Sequence, residues 1–232
     1  LLWGLSQPLG KITVSTGHGQ FGLIFWNAVL GAGFMGLALM TTRAAGGFAG
    51  LRPTRDRMIF ALVVALVGTL IPGTTFYLAI SHLPAGVMSI NIATVPLMAL
   101  PLAVLLGQDR PGPARILGLL LGAAGVLAIA LPQGAMPAGV DPFWVAVALV
   151  GPLCYAIEGN FVARFGMAGM SPVQALFLSS VTAAVLAGAL ALATGQFIDP
   201  FRSFGAPEWA LVAASAINIT AYAAYVWLAA RA

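Results

Sequence analysis

The sequence predicts an all-α polytopic membrane protein. Three observations predict it: the composition, the lengths of the charge-free intervals, and the side on which the arginines fall. Of the 232 residues 60% are hydrophobic and only 7% charged, and mean hydropathy is +1.00. Soluble domains carry about 25% charged residues. Ten basic and six acidic side chains could not cover a water-soluble chain of this length. Spanning backbone must satisfy its own polar groups, which leaves helices and closed barrels, and the apolar runs here are of helix length. A pI near 9.8 would ordinarily raise nucleic acid as a partner. Here the arginines sit between apolar runs, so they act as topology signals and no nucleic-acid surface is expected.

The charge-free intervals count the spans, given that a helix needs about 20 residues at about 1.5 Å each to cross the hydrocarbon. The opening "LLWGLSQPLGKI" reads as the tail of a first span whose beginning is missing; it lacks the charged leader and cleavage site of a signal peptide. Residues 12–42 hold a second span, about Phe21 to Thr41. Residues 58–108 are too long for one helix, and the turn chemistry of Ser81-His82-Leu83-Pro84-Ala85-Gly86 divides them into a third and a fourth. A fifth occupies 116–140 and ends at the "PQGAMPAG" breaker. The rest are about Pro142–Phe165, Ser171–Thr194 and Pro207–Ala230, which makes eight.

Orientation follows from the basic residues. With the N-terminus inside, Arg43, Arg52, Arg55, Arg57, Arg110, Arg115, Arg164 and Arg231 are cytoplasmic, and only Lys11 and Arg202 lie opposite. That is a clear positive-inside bias, and a missed or invented helix would have scrambled it. Both chain ends then fall on the cytoplasmic side of an inner (plasma) membrane.

Within the spans a few polar groups stand out. Glu158 is the only charge between Pro142 and Ala163, about 10 Å from the cytoplasmic end of its helix. A carboxylate at that depth costs several kcal/mol and usually faces a bundle interior or an aqueous cavity. Gly151, Cys154, Tyr155 and Val162 share its face. The plainer alternative is a structural hydrogen bond, or a shifted span that leaves Glu158 near the headgroups. Other polar side chains also line up. Asn218, Tyr222 and Tyr225 share a face of the eighth span; Thr74, Tyr77 and Ser81 one of the third; Trp3, Gln7 and Lys11 one of the first. Asn91 and Thr94 sit beside Pro96, where a kink frees backbone carbonyls. Each group could be interhelical glue, with Tyr77, Asn218 and Tyr222 leaning toward a cavity. Pro72, Gly73, Pro96 and Pro152 are candidate bend points. Gly118 and Gly122 suggest close helix packing, and His82 a solvated external turn.

The segment "LLGQDRPGPARILGLLLGAAGVLAI" resembles the fourth-to-fifth helix junction of EamA-type transporters, of the drug/metabolite transporter superfamily. Gly107, Asp109, Arg110, Gly118, Gly125 and Val126 match the family's pattern, with Asp109 in place of the usual glutamate and Gln108 intervening. "YLAISHLPAGVMSINIATVPLMALPLAVLL" is similar to its third and fourth helices, and Trp3-Gly4 to its first. The resemblance implies ten helices in two five-helix halves of inverted topology. Residues 1–137 would be the first half and 138–232 the first three helices of the second, with helices nine and ten to follow. A faint internal repeat agrees: "TTFYLAISHLPA" lies on "AAYVWLAARA", pairing Phe76 with Tyr225 and His82 with Arg231. Small multidrug-resistance members of the superfamily use a glutamate of their first helix for cations and protons. Glu158 holds that position in the second half, while Ser6 or Gln7 holds the comparable depth in the first.

Enzyme classes find no support in the motifs. There is no HExxH, no Gly-rich phosphate loop and no paired carboxylates, and no cofactor or metal site is indicated. Cys154 alone supports no disulfide or metal cluster. The expected function is secondary transport, with metabolite export implied by the resemblance, of a small metabolite such as an amino acid or related zwitterion or cation. Phosphorylated sugars are disfavoured, since phosphate wants arginine or lysine in the cavity. Expected partners are that substrate, possible coupling protons and the lipid bilayer, in a monomer or homodimer. The alternatives are multidrug or cation efflux, or a non-transporting membrane scaffold or sensor.

Overall fold

Two long helices of this chain begin at side-chain caps and end at a glycine that lets the backbone turn. The Asp141 carboxylate accepts the Phe143 N–H at 2.8 Å, and Pro142, whose missing N–H costs nothing in a first turn, opens the helix. That helix stops at Gly166, at φ +65°. Ser171 and Gln174 form a reciprocal capping box before the next: the Gln174 N–H donates to Ser171 Oγ at 3.3 Å, and the Ser171 N–H to Gln174 Oε1 at 2.9 Å. Gly195, at φ +69°, closes it.

The structure, a computed structural model, describes residues 9, 11–14, 17–41, 47–48, 51–130, 141–199 and 205–229. Among these there is no strand. The helices are α1 (Gln20–Thr41), α2 (Arg55–Val63), α3 (Ile71–His82), α4 (Ala85–Ile92), α5 (Val95–Leu105), α6 (Pro113–Ala130), α7 (Pro142–Phe165), α8 (Pro172–Ala193) and α9 (Ala206–Ala229). A π-helical stretch, Val64–Leu70, joins α2 to α3 without interruption.

Five described segments are long and apolar enough to cross a membrane: Gln20–Met40, Arg55–His82, Gly86–Leu105, Pro142–Phe165 and Pro172–Ala193. Pro113–Gly125 and Glu208–Ile217 add shorter apolar stretches on α6 and α9. This is a helical membrane bundle, and the five full-length spans lie where the charge-free intervals put them. Most of the expected first span and the end of the fifth, residues 131–140, lie outside the described residues. The fourth span differs from expectation: it is two helices, broken at Ala93 and Thr94. Pro96 has no N–H for the Ile92 carbonyl, and at the break the Thr94 hydroxyl donates to the neighbouring Asn91 carbonyl at 2.6 Å.

The chain divides into two compact units, Leu1–Leu70 with Met167–Ala232, and Ile71–Gly166. In the first, α1 packs along α8 through small residues. Gly31 faces Ser180, Gly36 faces the Phe177 ring and Gly188 the Phe25 ring, while Ala28, Ala65 and Ala183 form a buried cluster. Small residues let apolar helices approach closely where no hydrophobic effect drives them together. The turn after α8 is tied back to α1: the Phe21 N–H donates to Gln196 Oε1 at 3.1 Å, and Trp26 Nε1 to the Ile198 carbonyl at 2.9 Å. His18 Nε2 meets Glu208 Oε1 at 2.6 Å, joining the segment before α1 to the first turn of α9. Glu208 Oε2 also accepts the Gly205 N–H at 2.8 Å.

In the second unit α7 is central, with α3, α4 and α5 packed on it and α6 against α4 and α5. Gly151 lets α3 approach: its Cα side faces Pro72 and Thr75. Near its C-terminal end Asn160 Nδ2 donates to the Ala99 carbonyl of α5 at 3.1 Å and to Ala156 at 2.8 Å. At the opposite end the His82 imidazole lies flat on the Trp144 indole, centroids 3.7 Å apart and planes within 7°.

Candidate substrate site

The second unit holds two hollows of different character. The larger is an open groove of about 820 Å³ between α5, α6 and α7. Its walls are small and apolar, with Gly118, Gly122 and Gly159 among them. Its mouth is charged, where Arg115 and Asp109 pair at 2.6 Å. A Cβ built on Gly118 or Gly122 meets nothing within 4 Å, so the close packing expected of this glycine pair is not made among the described residues. None of the predicted substrate- or proton-binding residues lines it.

The smaller hollow does gather them. It is a void of about 20 Å³ between α3, α4 and α7, walled by Pro72, Phe76, Met88, Asn91, Gly151 and Tyr155 among others. Its elements explain its existence. Two prolines inside helices, Pro72 and Pro152, face it, and a helix-internal proline both bends its helix and withholds one N–H. Asn91 stands in the last turn of α4, just before the break. The void lies roughly midway along α7, whose 24 residues span about 36 Å.

Two predicted site residues, Asn91 and Tyr155, therefore meet at one place. Asn91 is 7% exposed, and its Oδ1 is buried without a hydrogen-bond partner among the described residues. Tyr155 is 37% exposed, so only part of it closes the void. Glu158 lies one turn further along α7; it is half-buried and lines neither hollow. Tyr77 is half-buried on α3, its ring edge-on to Phe76 with centroids 5.3 Å apart. Trp3 and Gln7 lie outside the described residues. Asn218, Tyr222 and Tyr225 fall on the helical backbone of α9, and their side chains are likewise outside the description. Among the described residues no group of three or more His, Cys, Asp or Glu could hold a metal.

Sequence reasoning did not single out Phe76 and Met88 as parts of a site, since apolar residues in a span carry no signal of their own. It also missed both histidine contacts, which join residues 62 to 190 positions apart.

The described fold is that of a multi-pass helical membrane protein, with buried polar groups between kinked helices. The model of the EamA-like transporter family matches residues 1–131, more than half of the chain. The chain belongs to that family and is a transporter of the drug/metabolite superfamily. Comparison with curated proteins and with solved structures finds no match.

Proposed function

We propose that the protein is an inner-membrane secondary transporter that exports a small zwitterionic or cationic metabolite, such as an amino acid or a related amine, in exchange for protons. The observation that carries this reading is the meeting of Asn91 with Tyr155 at a kinked, mid-helix void on α7, the helix that also bears Glu158. An amide oxygen, a phenol and one carboxylate suit a cation with an apolar part. They do not suit a phosphate, which wants guanidinium or ammonium groups. Arg115, the basic residue at the groove, is already paired with Asp109 at its mouth.

Movement would follow alternating access between two inverted halves, residues 1–137 and 138–232, with substrate near the midplane. Pro72, Pro96 and Pro152 are the bends that such rocking would use. The eight-to-two distribution of basic residues supports chain ends on the cytoplasmic side.

Proteoliposomes of the full-length protein under an imposed proton gradient test this. Labelled amino acids or simple amines should move against their own gradient, and a sugar phosphate should not. Gradient-independent leakage, or preference for the phosphate, overturns it.

A further inference from the structure

The void beside Asn91 has a chemistry that narrows its guest. We propose that it is a recognition pocket for one primary ammonium group, with Asn91 Oδ1 as the accepting atom. This rests on the transport reading above and names its substrate class more closely.

Size comes first. The volume is about 20 Å³, and a polar cavity needs about 10–15 Å³ to hold a single water molecule. An –NH3+ group has one heavy atom and fills the same space. A trimethylated nitrogen has roughly four heavy atoms and does not.

The second point is polarity. Among the described residues Asn91 Oδ1 is buried without a hydrogen-bond partner, a state that is unfavourable until a donor arrives. Pro152 gives no N–H to the carbonyl of Ala148, and both residues line the void. Phe76 and Tyr155 add aromatic rings, which attract cations. No Lys, Arg or His is among the lining residues. The pocket therefore offers acceptors and π-systems. An ammonium group is the reverse: three donors, one positive charge, no acceptor. A hard metal cation is a poorer match, because such ions gather six or more oxygens.

The experiment uses n-butylammonium and butyltrimethylammonium, equal in charge and chain, with the purified full-length protein. Binding is read as ligand-dependent thermal stabilisation. Butylammonium should bind roughly tenfold more tightly, the difference of about one hydrogen bond. Asn91→Leu should level the two amines, and Asn91→Asp, which keeps an acceptor, should retain the preference. Equal binding of the two by the unaltered protein overturns the pocket, as does a preference that survives Asn91→Leu. The unaltered protein alone decides the first point, so a variant that misfolds does not block the test. The two readings fail separately. Proton-driven transport without discrimination removes only the pocket, and discrimination without transport removes only the proposed function.

Discussion

Glu158→Gln is expected to leave the protein folded and inserted while abolishing the pH dependence of transport. Glutamine matches glutamate in size and hydrogen-bonding reach, so packing around α7 survives. It can neither take up a proton nor balance a cation. A charge within an apolar span costs about 2.5–3.5 kcal/mol on insertion scales, and on the proposed function the carboxylate would relieve that cost by binding a proton or by facing a cation. The two relieve the same charge and therefore compete. In the unaltered protein the apparent affinity for a cationic substrate should weaken as pH falls from about 8 to about 5, the range in which such sites load and release protons. In the Gln variant the profile should be flat and gradient-driven accumulation lost, with any residual facilitated movement unaffected by pH. Glu158→Asp should keep the slope with a changed apparent affinity. A Gln variant that accumulates substrate normally across this range would reduce Glu158 to a structural role. The site would then pass to Tyr77, Asn91, Asn218 and Tyr222.

A second large effect concerns the fold itself. Gly22→Val should cost more than about 3 kcal/mol, beyond the usual range for an overpacked site. The added Cβ would fall on the backbone oxygen of Gln196 and within 2.9 Å of Ile198 Cγ1. That backbone cannot yield cheaply. Its position is fixed by the Phe21–Gln196 and Trp26–Ile198 hydrogen bonds, by the Gln196 N–H donating to the Ala191 carbonyl at 2.8 Å, and by the positive φ of Gly195. For a chain of this size such a loss lowers the melting temperature by roughly 10 °C. Gly118→Val is the control, because nothing stands within 4 Å of that position. Equal melting temperatures for the two variants would show that the turn after α8 is not held as described.

The membrane helices were legible in the sequence because the bilayer makes one demand of each: about 20 apolar residues bounded by charge or turn. Pro142–Phe165 was read to the residue, since Asp141-Pro142 and Arg164-Phe165-Gly166 mark both ends chemically. Asn91 and Tyr155 were legible for the same reason, being polar where polarity is costly. What escaped depends on neighbours distant in sequence. His82 is exposed at its turn as read, but its stacking on Trp144 could not be read from the sequence. Gly118 and Gly122 read as a packing face, yet they border an open groove. The break before Pro96 was half visible. The proline announces a kink, but the tightened backbone bonds at the break, Ala93 N–H to the Ile90 carbonyl and Thr94 N–H to the Asn91 carbonyl, have no signal in the sequence.

The π-helical stretch at Val64–Leu70 bears on the chain's tolerance of changes in length. Its hydrogen bonds reach one residue further than those of an α-helix, so it carries surplus chain in an otherwise regular rod. In an α-helix, deleting one residue turns everything downstream by about 100° and carries each buried side chain off its face. Within 64–70 the same deletion tightens the wide turns to α geometry, so the rotation is taken up inside the interval. The loss of a single residue is thus best absorbed in this one interval of the Arg55–His82 helix.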